Sequence, residues 1–253
     1  MARIVAVHSF RGGTGKSNTT ANMAALLALA GRRVGVVDTD IQSPGIHVLF
    51  KLAPQDIGNT LNDFLWGKCD IARSVYDVTP QESPPLPGKL FLIPSSIKTG
   101  DIARVLHYGY DVNLLNDGYQ RLIRESSLDY LFVDTHPGLN EETLLSMAVA
   151  EVLIILLRPD YQDYQGTAVT VEVSRQLDVP RMYLVVNKVP ESLDREKLAK
   201  KMTETYGCEV IGVLPHDDDM GMLASSGIFV MRNPEHRITR ILQDIVNKID
   251  AAP

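Results

Sequence analysis

Cysteine is close to absent from this chain, with Cys69 and Cys208 the two in 253 residues. Their wide separation excludes a disulfide framework and any CxxC or CxC metal spacing, so a reducing cytoplasm is the expected setting. Long apolar runs are missing as well. The longest strongly apolar one, Val152–Leu157, is bounded by Glu151 and Arg158 and reads as a buried strand. The opening MARIVAVHSF is too short for a signal peptide or a membrane span. No repeat occurs, and no Pro/Gly/Ser-rich charged linker, which predicts one domain over 1–253. An excess of basic charge is lacking too: 25 Lys and Arg face 31 Asp and Glu, a net charge of −6. That balance gives no support to bulk nucleic-acid binding while leaving a local basic patch open.

What is present is a series of short β-branched apolar segments, at 4–7, 34–37, 90–93, 130–133, 152–157, 183–186 and 210–214, with helical stretches between them. Continuous apolar strands are buried on both faces, so the expected fold is α/β: a single doubly wound domain with a mostly parallel sheet flanked by helices. Helices are expected over 17–30, 111–126, 194–206 and 239–249. The first is closed by Gly31, a good residue for the position after a helix end. The last carries Ile238, Leu242, Ile245, Val246 and Ile249 at helical spacing with a mixed-charge opposite face, the pattern of core packing and not of membrane insertion. Four prolines in 79–88 read as a surface loop.

The segment IVAVHSFRGGTGKS over 4–17 is a strand, a glycine-rich turn and a helix start. Gly12, Gly13 and Gly15 let backbone N–H groups, Thr14 among them, converge on a polyphosphate without Cβ clashes. The helix N-terminus favours an anion, Lys16 reaches the terminal phosphates and Ser17 can ligate Mg²⁺. The ordinary pattern GxxxxGK[ST] wants glycine at position 10, where this chain has Phe10.

Arg11-Gly12-Gly13-Thr14-Gly15-Lys16-Ser17 resembles the deviant Walker A box of the MinD/ParA family of P-loop ATPases, K-G-G-x-G-K-[ST], with Arg11 in place of the signature lysine. The resemblance runs over nearly the whole chain. Asp38-Thr39-Asp40 resembles the family's D-x-D segment, Asp134 to Gly138 its Walker B and second switch segment, Asn187-Lys188 its base-recognition strand end, and Gly212 to Pro215 the strand end that closes over adenine. It implies ATP and Mg²⁺ as ligands. Asp38 would hold a metal-bound water, Asp134 would take the Walker B role beside Ser17, and Asp40 would position or deprotonate the attacking water together with the charge of Lys16. Asn187 and Pro215 would frame adenine, and Asn18, where the family often has threonine, leaves the α-phosphate to an amide or the backbone. The implied activity is slow ATP hydrolysis by a homodimer closed across the nucleotide, serving septum placement, DNA partition or cargo positioning through a protein activator or cargo adaptor. Arg11 would reach the partner's phosphates, unless it contacts only its own subunit or solvent. No room is evident after the last helix for a membrane-binding segment.

Other readings stay open. A metal-cofactor maturation ATPase of this fold would want paired interface cysteines, an amidoligase would want a substrate pocket beside the second switch, and an adaptor would hold ATP without turnover. His136 reads as a satisfied loop histidine, and Asp217-Asp218-Asp219 as a helix N-terminus more than a metal site. Arg195, Lys197, Lys200 and Lys201 form a basic stripe that neighbouring acids dilute, so nonspecific DNA binding is weakly supported.

Overall fold

The first apolar run becomes β1 (Arg3–His8) near the middle of an eight-stranded sheet. The coordinates are a computed structural model describing residues 2–81, 85–111, 113–223 and 225–251. The other strands are β2 (Arg33–Asp38), β3 (Tyr76–Asp77), β4 (Lys89–Ile93), β5 (Tyr130–Asp134), β6 (Val152–Leu157), β7 (Met182–Val189) and β8 (Glu209–Pro215). Their order is β3-β4-β2-β5-β1-β6-β7-β8, and every pairing is parallel except that of β3 with β4. The seven expected strands are all present. The eighth, β3, has two residues and no apolar run, so nothing in its composition announced it.

The helices are α1 (Lys16–Leu29), α2 (Ile46–Leu49), α3 (Leu61–Leu65), α4 (Thr99–Tyr108), α5 (Asn113–Glu125), α6 (Glu141–Ala148), α7 (Tyr161–Gln176), α8 (Arg195–Tyr206), α9 (Asp218–Met222), α10 (Phe229–Arg232) and α11 (Arg237–Ala251). Alternate strand residues feed two cores. Val5, Val7, Val34, Val36, Phe132 and Ile154 pack under α1, α10 and α11, while Ile4, Ala6, Val37, Leu131, Val133 and Ile155 pack under α3 to α8. All five apolar positions of the last helix face the first of these cores. The expected proline-rich surface loop spans 79–88, and its positions 82–84 lie outside the described residues. No helix among the described residues is long and apolar enough to cross a membrane.

This order places the site. From β1 the chain winds out to β4, returns through β5 beside β1, and leaves on the other side through β6, β7 and β8. The turn after β1 therefore sits where the winding reverses, the crevice at which open α/β sheets bind ligands.

Candidate nucleotide site

The turn from β1 into α1 is built around two left-handed glycines, Gly13 at φ +76° and Gly15 at φ +96°. Gly15 occupies the N-cap of α1, which has no side-chain cap and no acid in its first turn, so its leading N–H groups face the cradle. The loop is braced from the far side of the sheet. A register shift in β7 between Val186 and Val189 aims Asn187 and Lys188 at the loop. Asn187 Nδ2 then donates to Thr14 O at 2.8 Å and Lys188 Nζ to Gly13 O at 2.9 Å. A Cβ on Gly15 would lie 2.5 Å from Asn187 Nδ2. Gly15→Ala is therefore expected to cost about 1–2 kcal/mol in backbone strain alone and to weaken nucleotide binding as Asn187 is displaced. Urea unfolding and nucleotide titration check both effects, and a variant with wild-type values in both would contradict this account of the loop.

Phe10 stands where the ordinary loop has glycine, and the structure shows how it is tolerated. Its ring lies over Gly166 of α7, where a Cβ would come within 2.1 Å of Phe10 Cδ1. Arg11 does not project freely. Its Nη1 pairs with Asp160 Oδ1 at 3.3 Å and Asp163 Oδ1 at 3.5 Å in its own chain, with Arg158 also on Asp163 at 2.9 Å.

Asp38 and Asp134 are register partners at the ends of β2 and β5, each 1% exposed. Burial, with Asp134 and Asp40 alongside, pushes the Asp38 carboxyl well above the usual carboxylate range. Asp134 is pushed up to about 6, chiefly by burial, against the opposing pull of Lys16 and a hydrogen bond from Ser17. Lys16 itself is 7% exposed. Two buried side-chain atoms here, Thr14 Oγ1 and Asp38 Oδ2, have no hydrogen-bond partner among the described residues. Unpaired buried polar atoms are costly, and beside an uncapped helix end and a glycine cradle they fit a bound polyphosphate and its hydrated cation.

His136 is satisfied, as expected of a loop histidine, but by Asp40: its Nδ1 lies 2.6 Å from Asp40 Oδ1. Next to the loop a cavity of about 310 Å³ is lined by Asn18, Asn187 and Pro215 together with Asn22, Met220 and Leu242. The sequence reading did not place the last three at the site, because a cavity wall made by separate elements leaves no local motif. Asn22 is fixed by donating to Asn18 O at 2.7 Å and accepting from Val230 N at 2.9 Å.

A match to the CobQ/CobB/MinD/ParA nucleotide binding domain covers residues 5–230. The chain belongs to this family. Among curated relatives, members of other organisms include an ATP-binding protein of Methanocaldococcus jannaschii, 27% identical over 100% of this chain and 89% of that protein. An iron-sulfur cluster carrier protein of Pseudomonas fragi is 26% identical over 96% of this chain and 83% of its own length. Among solved structures, the septum site-determining protein MinD of Pyrococcus horikoshii complexed with Mg-ADP superposes at a TM-score of 0.83, with 20% identity over 99% of this chain and 97% of that one. At that identity the superposition speaks for the fold, which this family member shares in full.

Away from the cradle, Asp217 is the N-cap of α9, and its Oδ2 is taken by Arg237 at 3.0 and 2.9 Å, which fits the helix-start reading of the three acids. Asp217, Asp219 and His236 do converge, yet Asp217 is already paired with a cation. On α8 the basic stripe is exposed and pairs with its own acids, Lys197 with Asp194 and Lys200 with Glu204.

Proposed function

We propose that the chain is an ATP-driven switch: it binds Mg²⁺ and ATP, pairs with a second copy across the nucleotide, hydrolyses slowly and signals its state through 38–45 and 134–142. One observation carries the reading. The uncapped start of α1, with Lys16 and Ser17, meets Asp38, Asp40 and Asp134 at a single sheet edge where buried polar atoms lack partners. Lys16 would balance charge on the terminal phosphates and the loop N–H groups would orient them. Ser17, Asp38 and Asp134 are the residues to hold Mg²⁺, which when bound neutralises charge on phosphate oxygens. Asp40, more exposed than the other two acids, would orient the attacking water. Asn187 and Pro215 would face the base. For Arg11 to touch a partner's phosphates it must first leave Asp160 and Asp163.

The output proposed is spatial organisation of a cargo through a protein partner in the cytoplasm, in line with the septum-site relative. The iron-sulfur carrier relative raises the cofactor-maturation reading, and the thiols speak against it. Burial pushes Cys208 up to about 11 and raises Cys69, whereas metal ligation wants thiolates. The ligase reading wants a pocket beside the second switch, where Thr39, Tyr110, His136 and Glu142 leave a crevice of about 10 Å³. That is room for about one water and not for a substrate.

Light scattering on Asp40→Ala tests the switch. The expected result is a dimer with Mg·ATP and a monomer with Mg·ADP. The same mass with both nucleotides would remove the sandwich dimer and bring the adaptor reading forward.

A further inference from the structure

The loops after β2 and β5 are bonded to each other at successive residues. Thr39 donates to Asp134 O from its backbone N and from Oγ1, each at 2.9 Å. One residue beyond Thr39 and two beyond Asp134, His136 Nδ1 meets Asp40 Oδ1 at 2.6 Å, with the two side chains 23% and 16% exposed. Asp40 Oδ1 also accepts from Ser43 N at 3.1 Å. An ionised carboxylate can only accept, so the imidazole is the donor, through Nδ1–H. Oδ1 is thereby held by one donor from each loop, while Oδ2 has no hydrogen bond among the described residues. A carboxylate fixed at one oxygen has lost its rotation about χ2, and its free oxygen points in one direction.

We propose that His136 is a positioning residue for Asp40, pinning Oδ1 so that Oδ2 alone is presented to the attacking water, and that it ties the two switch loops into one moving unit. The proposal rests on the reading of Asp40 as the residue that orients that water. It concerns geometry: a misplacement of about 1 Å at a reacting group can cost on the order of 100-fold in rate.

The test is a set of variants in the full chain. His136→Ala is expected to lower kcat for ATP hydrolysis by about 10- to 100-fold, with KM for ATP and the ATP-dependent mass unchanged. His136→Asn places an amide N–H where Nδ1 sits, and it should recover most of the loss. Asp40→Ala and the Asp40→Ala/His136→Ala double variant should share one residual rate, since the histidine acts only through the carboxylate. Imidazole ¹⁵N spectra supply a readout that needs no turnover: an Nδ1–H tautomer at His136 in the wild type, lost in Asp40→Ala. A wild-type kcat in His136→Ala while Asp40→Ala is inactive would overturn the positioning role alone. Wild-type turnover in Asp40→Ala would overturn the reading of Asp40 and this proposal with it. A fall in both ATP affinity and dimer mass in His136→Ala would mark a merely structural side chain and sink the proposal.

Discussion

Lys16→Met is expected to lose ATP affinity by about 100-fold, corresponding to about 3 kcal/mol for hydrogen bonds from a charged donor, while the protein stays folded. Methionine keeps the buried stem and removes only the ammonium. Lys16 as a residue is 7% exposed, and its ammonium sits within electrostatic reach of Asp134, whose carboxyl it helps hold down to about 6. Without it Asp134 titrates higher and holds its proton more readily. A neutral carboxyl is cheaper to bury than an unpaired anion, so the melting temperature should move little. Calorimetric titration with ATP, with and without Mg²⁺, reads the affinity, and thermal unfolding reads the fold. Full ATP affinity in a folded Lys16→Met protein would mean that the phosphates do not lie in this loop.

The second large effect is a pH dependence of stability hidden by cancellation. His8, at the end of β1, has no exposed surface, and its pKa falls from 6.5 to about 3, first through burial and then through Lys16 and His136. Between those values the unfolded chain binds a proton that the folded chain refuses, so stability falls as pH drops below about 6.5. At pH 5 the loss is about 2 kcal/mol, at about 1.4 kcal/mol per unit. Asp134 acts in the opposite sense. Its folded pKa of about 6 lies above the ordinary 3.8, so the folded chain holds the extra proton and stability rises as pH drops through that window. At pH 5 this returns roughly 1.4 kcal/mol. The raised pKa of Asp38 adds in the same direction. The wild type should therefore lose less stability between pH 7 and 5 by urea unfolding than the roughly 2 kcal/mol that His8 alone would take. His8→Asn, which keeps a donor for Thr135 Oγ1, should gain stability over that range, and Asp134→Asn should lose it. Any cavity left by the substitution costs the same at both pH values and drops out of the difference. Should His8→Asn track the wild type, the buried histidine is not the group that titrates.

The particular residues explain what could be read in advance. The strands were legible because burial on both faces demands unbroken apolar runs, and the phosphate loop because a backbone cradle demands glycine at fixed spacing. The end of α1 was legible at Gly31 and the start of α8 at Asp194, whose side chain caps Lys197 N at 3.1 Å. β3 was not, since two residues on an edge strand need no pattern. The site was legible where chemistry is local, at Lys16, Ser17 and the strand-end acids. It was not legible where distant segments meet. That Asp40 would find His136, that Arg11 would find Asp160 and Asp163, and that a shift in β7 would aim Lys188 at the loop are consequences of sheet order. Order is decided by the whole chain.

The contact between Phe10 and Gly166 has an evolutionary meaning. A side chain at 166 cannot appear while the ring is at 10, because even a methyl group would sit 2.1 Å from it. Restoring glycine at 10 would leave an open notch on α7. The two positions, far apart in the gene, should thus drift as a pair: descendants of this protein that regain a small residue at 10 are free to fill 166, and those that keep the aromatic ring are bound to leave it bare.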